Sequence, residues 1–177
     1  MEKEKILQAR HDVMQQVAEE LQDELIPAML REGGENKDTD VLRVIFEKLG
    51  FANEDGAMGE FFFASMGSEE DTVAHFVSSI IIADDFSDEH IQEFYAAMAG
   101  LNTYLPCGTF GVTRDGGILL YKLVTPIPME LTGEALKNQV DICMGNAIAV
   151  CDQYADLLLR VLDGDMDREG MFEALGI

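Results

Sequence analysis

The stretch Leu101-Asn102-Thr103-Tyr104-Leu105-Pro106-Cys107-Gly108-Thr109-Phe110 decides the fold, because a helix gives way to a strand inside it. Before it, residues 87–101 carry apolar side chains at helical spacing, and Ser87 stands where a helix N-cap is expected. Pro106 prevents the helix from continuing, because proline lacks the backbone N–H that the next turn needs. The sequence therefore predicts a helix that ends near Leu101 and a strand that starts near Cys107.

A hairpin and a long helix follow this corner. Residues 107–113 and 118–125 are mainly apolar runs on either side of Arg114-Asp115-Gly116-Gly117, and Asp-Gly favours the positive φ angles of a tight hairpin turn. Thr132 begins a helix whose apolar positions recur every three or four residues. The segment Ser87–Leu162 is therefore predicted to be a helix, two antiparallel strands and a second helix.

Two helices are predicted closer to the N terminus. Residues 3–31 have the apolar periodicity of one long helix, which Pro27 kinks or ends near Leu25. A polar connector at 31–37 precedes a second predicted helix, Asp40–Leu49. The apolar stripe of the first helix must be covered, either by its own domain or by a subunit partner.

Two further strands are predicted at 60–66 and 72–83, joined by a hairpin loop at 67–71. The second of them, like 118–125, is apolar on both sides, whereas an antiparallel strand with one wet face alternates apolar and polar residues. Both faces of the sheet are therefore expected to be covered, one by helices and the other by the N-terminal helix, a second subunit or a bound partner. The side chains predicted to contact a partner are Phe61, Phe63, Ile80, Ile82, Leu119 and Tyr121.

The predicted order is α-α-β-β-α-β-β-α, with one short helix around 168–175 in the tail. Paired strands with flanking helices favour an α+β fold, a two-layer sandwich with an antiparallel sheet. The predicted organisation is an N-terminal amphipathic helix and connector at 1–37, an α+β domain at 38–164, and an acidic tail at 165–177.

The charge balance restricts the partners. The chain has 34 acidic and 12 basic residues, a net charge of −22, so its surface repels nucleic acids and anionic membranes. No lysine or arginine lies between Lys48 and Arg114, which either steers a basic partner or only keeps the protein soluble. The chain opens on charged residues without an apolar leader, and its three cysteines cannot all pair, so a cytoplasmic location is predicted.

No catalytic group, cofactor or metal site is predicted. His11, His75 and His90 lack metal-ligand spacing, and a Cys107–His90 nucleophile pair has no recognisable orienting acid. The acidic stretch 163–174 resembles a calcium loop only at its first positions, because arginine and alanine replace the glycine and glutamate that such a loop requires. An acidic helix cap or tail is the simpler interpretation.

The unit Ser87–Leu162 resembles the type III secretion chaperone-like fold, and within it the YbjN-type domain. The features that carry the resemblance are a helix ending in Leu101-Asn102, the Gly108-x-Phe110 strand, the Gly116-Gly117 turn and a last helix rich in small residues. The likeness covers about residues 38–164. It implies a two-layer sandwich, a homodimer and a role in binding protein without catalysis. The long N-terminal helix departs from the family's pattern, as does the number of predicted strands, four where the family tends to show five.

The leading prediction is a non-enzymatic, chaperone-like domain that acts as a homodimer and binds partner polypeptides, including basic or partly unfolded ones. Two alternatives stay open. One is an enzyme or small-ligand binder with a pocket between sheet and helices. The other is a structural or regulatory subunit that docks through its N-terminal helix.

Overall fold

The computed structural model describes residues 3–33, 39–49, 56–64, 72–84, 86, 89–113 and 117–177. In chain order its elements are α1 (Lys3–Asp23), β1 (Ala28–Arg31), β2 (Val41–Phe46), β3 (Ala57–Phe63), β4 (Val73–Asp84), α2 (Ile91–Leu101), β5 (Thr109–Val112), β6 (Ile118–Pro128), α3 (Gly133–Leu162) and α4 (Arg168–Leu175). The predicted α+β sandwich class is confirmed. The predicted order agrees only approximately, because four strands rather than two precede α2.

The six strands form one antiparallel sheet in the order β1-β2-β3-β4-β6-β5. Side chains directly opposite one another on neighbouring strands share a face, so the register divides the sheet into two faces. The face that contains Leu42, Phe61, Ile80 and Tyr121 packs against the helices and forms the core face of the sheet.

The helix α3 is the centre of the second layer. It packs on β4 and β6, and α1, α2 and α4 pack against it. Its apolar stripe is buried from Leu136 to Leu162, as the spacing of three and four residues predicts. The predicted hairpin of β5 and β6 and the short helix α4 are also confirmed. Ser87 and the turn residues Arg114-Asp115-Gly116 lie outside the described residues, as does the predicted loop 67–71.

One N-terminal prediction is confirmed in part, because the first helix ends close to Leu25, and the other is wrong. The first helix ends at Asp23, and the residues after Pro27 form β1, because proline cannot continue the hydrogen bonding of a helix. The segment Asp40–Leu49 contains the strand β2 instead of a helix. Its residues alternate with period two, since Leu42 and Val44 are fully buried while Ile45 is exposed, and its β-branched residues suit a strand.

The helix α1 covers this chain's own core. Val13, Met14, Val17 and Ala18 are buried in the core cluster. Near the C-terminal end of α1, Glu20 Oε2 accepts a hydrogen bond of 2.7 Å from Lys137 Nζ of α3. Hydrogen bonds to Asp141 and Glu20 raise the pKa of Lys137. The strand β1 then pairs with β2. A strand from the predicted N-terminal segment 1–37 and a strand from the predicted domain 38–164 thus belong to the same sheet.

Arg10 is the exception on this buried helix face. Only 6% of the residue is exposed, its guanidinium lies 5.0 Å from the centroid of the Phe63 ring, and neither terminal nitrogen has a hydrogen-bond partner in the described structure. Burial lowers its pKa, because removing water penalises the charged form. Contact with the ring offsets only part of this cost.

We expect Arg10→Met to stabilise the fold by about 1–2 kcal/mol, because a methionine of similar length fills the site without a buried charge. Urea unfolding followed by circular dichroism measures the change. Arg168→Met, at an exposed position on α4, is the matched control and should alter stability by less than about 0.5 kcal/mol. A loss of stability in Arg10→Met alone would contradict this expectation.

Candidate protein-binding surfaces

The six side chains predicted to contact a partner lie in the core. Each is at most 4% exposed; they are Phe61, Phe63, Ile80, Ile82, Leu119 and Tyr121. The register explains the error, because all six lie on the core face and the helices already cover them. The folded chain therefore does not expose these six side chains to a partner, and the prediction is wrong in this respect.

The opposite face of the sheet carries two rows of apolar side chains. One row crosses the four central strands through Val41, Phe62, Val77 and Val124. The second row runs through Ile45, Met58, Ile81 and Leu120. We call the two rows and the residues between them the open face. Within the part of the chain that the structure describes, the helices pack on the opposite, core face. Exposure varies across the open face: 45% of both Ile45 and Val124 is exposed, but only 5% of Val77.

A polar row separates the two apolar rows. It consists of Arg43, Glu60, Ser79 and Lys122, which are neighbours in register across four strands. Arg43 Nε donates to Glu60 Oε1 at 2.8 Å. Arg31 on β1 adds a third cation to this face, and Asp84 stands at the end of β4. In a chain with a net charge of −22, a face with more cations than carboxylates is exceptional.

The corner between α2 and β5 is held by the side chain of Asn102. Its Nδ2 donates to the carbonyl of Phe110 at 2.9 Å, and its Oδ1 accepts from the N–H of Phe110 at 2.9 Å. The amide thus supplies a donor and an acceptor to a strand residue, in the way a neighbouring strand would. The asparagine of the quoted stretch therefore has a structural role at the helix-to-strand corner.

Tyr121 completes the corner from inside the core. It is fully buried, and its hydroxyl donates to the carbonyl of Cys107 at 2.8 Å. Burial and the contact with Cys107 raise the pKa of Tyr121, so the phenol stays protonated at neutral pH. Gly108 has a φ of 65° and lies against the Tyr121 ring, which leaves no room for a side chain at this position.

The residues considered for nucleophilic chemistry are far apart. His90 precedes α2 and lies against Gly164, whereas Cys107 follows the other end of the same helix. Eleven helical residues extend about 16 Å, so the two side chains cannot share a proton. His75 lies on β4, and Cys143 and Cys151 are buried in α3, where burial raises the pKa of Cys151.

The acidic stretch after α3 caps a helix. Asp167 is the N-cap of α4, and its Oδ1 accepts from the N–H of Gly170 at 2.7 Å. Among the described residues, no group of three histidine, cysteine, aspartate or glutamate side chains has a geometry that could hold a metal ion.

A groove lies at one end of the sandwich, where β2 and β4 end, β3 begins, and the last turns of α3 pass above them. We call it the end groove. Its volume is about 1100 Å³, and its apolar lining includes Phe46, Ala57, Ile82, Phe86 and Leu159. Five carboxylates and one guanidinium also line it, namely Glu47, Asp84, Asp156, Asp163, Asp165 and Arg160. The groove is therefore apolar at its base and strongly acidic at its rim.

Neither surface was identified from the sequence, although the apolar residues on both faces of the strands indicated that a second face would need a cover. Pairing register decides which face each residue joins, and a single strand read by itself does not reveal it. None of the helices in the described residues is long and apolar enough to cross a membrane. No protein-family model matches the chain, and a comparison with curated proteins finds no match either.

Proposed function

We propose that this chain is a non-enzymatic, chaperone-like protein-binding domain that acts as a cytoplasmic homodimer on partner polypeptides. The observation that carries the proposal is the open face, an apolar sheet surface without a cover in the described structure. Strands that carry apolar side chains on both faces are typical of sheets in which both faces are buried, so the open face is expected to be covered in the functional protein. The resemblance of Ser87–Leu162 to the YbjN-type domain agrees with this function.

The charge pattern favours a second copy of this chain as the cover of the open face. Two protomers that each carry −22 repel one another, so an interface between them is expected where carboxylates are few and lie beside cations. The polar row has the sequence of charges positive, negative, neutral and positive across the sheet. In a two-fold dimer the same row faces itself, so Lys122 can approach the partner's Glu60 while the apolar rows pack together.

The size of the open face suits such a dimer. Six strands of four to twelve residues, at roughly 3.3 Å per residue and about 4.8 Å between strands, give a projected area of roughly 700 Å². Side-chain relief raises the accessible area above this value. A standard stable interface takes about 800 Å² of accessible surface from each partner, which is of the same order.

Light scattering on the purified chain tests the proposal. We expect a mass twice that of the 19.6 kDa chain. Because salt screens the repulsion between two acidic protomers, the dimer dissociation constant should fall as NaCl rises from about 20 to 300 mM. A monomer at about 100 μM in both salts would overturn the proposed homodimer.

A further inference from the structure

We propose that the end groove binds a basic segment of a partner polypeptide with one or two large apolar side chains. The inference deepens the proposed function, because it specifies where a protein-binding chain would hold its partner and what chemistry that partner carries. The end groove adjoins the open face, because Ile45, Met58 and Ile81 line it as well. Its other side is formed in the second layer of the sandwich, by Leu159 of α3 and the C-cap residue Asp163.

The groove has the shape and lining for side chains of a polypeptide. Ile82 and Leu162 are 4% exposed and form a rigid base, while Phe46, Phe86 and Leu159 are half-buried around it. A volume of about 1100 Å³ slightly exceeds that of common small-molecule pockets, which hold about 300–1000 Å³. The open shape and this size fit a chain segment that crosses the groove with its apolar side chains inserted.

The charge of the groove selects a basic segment. Its five carboxylates outnumber the single guanidinium of Arg160, and all six groups line the groove. The C-terminal end of α3, a helix of 30 residues, also lies here and adds the partial negative charge of a helix C terminus. Lysine or arginine residues on either side of an apolar anchor would therefore meet carboxylates at both rims.

Fluorescence anisotropy with three labelled peptides tests this site. The probes are a lysine-leucine dodecapeptide, a lysine-serine dodecapeptide of equal charge, and a glutamate-leucine dodecapeptide. The lysine-leucine peptide should bind at least tenfold more tightly than the lysine-serine peptide, and the glutamate-leucine peptide should not bind. The affinity of the lysine-leucine peptide should fall at least tenfold between 50 and 300 mM NaCl. Equal binding of the two lysine peptides would overturn the role of the apolar base.

Paired charge removals separate the groove from the general acidity of the protein. Asp156→Asn with Asp163→Asn should weaken the lysine-leucine peptide at least tenfold. Glu130→Gln with Glu134→Gln removes the same charge near the other end of α3 and should change binding less than threefold. Equal losses in both pairs would show that the peptide responds only to net charge, and would overturn the site.

Hydrogen exchange on the unsubstituted protein gives a second measurement that does not depend on any variant folding. The lysine-leucine peptide should slow exchange at residues 156–165, at the ends of β2 and β4 and at the start of β3, while β5 is unaffected. Protection elsewhere would overturn the site. Failure of this inference can be distinguished from failure of the proposed homodimer. Light scattering on the same samples measures the dimer, whereas the groove variants and the exchange pattern measure the peptide site.

Discussion

Replacing Val124 with glutamate is expected to convert the proposed homodimer into a monomer at micromolar concentration. Val124 lies in the first apolar row of the open face, beside Val77 on β4, and 45% of it is exposed in the single chain. The protomer therefore tolerates the new carboxylate, whereas a two-fold interface would bury it twice without a partner. We expect the dimer dissociation constant to rise at least about a hundredfold, which corresponds to roughly 2.7 kcal/mol.

Sedimentation or light scattering over a concentration series measures this change. Ile142→Glu is the matched control, because Ile142 is also an exposed apolar residue, at 55%, but lies on α3 in the other layer. The control should remain as dimeric as the unsubstituted chain. Loss of the dimer in both variants would assign the effect to added negative charge, and a stable Val124→Glu dimer would place the interface elsewhere.

Replacing Gly108 with alanine is expected to be the most destabilising single-methyl change in the helix-to-strand corner. A φ of 65° costs a non-glycine residue roughly 1–2 kcal/mol, and the new methyl group would overlap the buried Tyr121 hydroxyl. The tyrosine cannot withdraw without losing its hydrogen bond to the Cys107 carbonyl. Adding the cost of overpacking, we expect a loss of about 3 kcal/mol or more.

Urea unfolding followed by circular dichroism tests this expectation. Gly111→Ala, three residues further along the chain, is the matched control, because an added methyl group there meets no atom within 4 Å. It should change the free energy of unfolding by less than about 0.5 kcal/mol. Equal stability of the two variants would contradict this expectation, because it would mean that the corner accommodates the new methyl group beside Tyr121 without cost.

The sequence predicted best those elements whose patterns are long and locally complete. The helix α3 repeats its apolar spacing over 30 residues, and the corner from Leu101 to Phe110 contains its own stop signals. Residues 41–46 were misassigned because six residues can satisfy a helical and a strand period at once, and only pairing with β3 selects the strand. Pro27 was correctly identified as a disturbance, but the strand after it forms because β2 is available to pair.

The candidate surfaces could not be located from the sequence, for a related reason. Phe61 and Phe62 are adjacent and both apolar, yet the first enters the core and the second joins the open face. Which of the two faces the helices is decided by contacts between distant parts of the chain. The end groove likewise combines three strand ends with the last turns of α3, which lie about 70 residues or more further along the chain.

The short edge strands of the sheet have a consequence for the solution behaviour of the protein at high concentration. The strands β1 and β5, at the two edges, have four residues each, and their partners β2 and β6 are longer. Edge strands of this length offer few unpaired backbone groups to a further strand. The part of β6 that extends beyond β5 contains Pro126 and Pro128, which lack a backbone N–H, so growth by edge addition into fibrils is disfavoured. The proposed self-association through the open face, by contrast, would end at two copies. The protein should thus remain free of amyloid-like polymers even at high protein concentration.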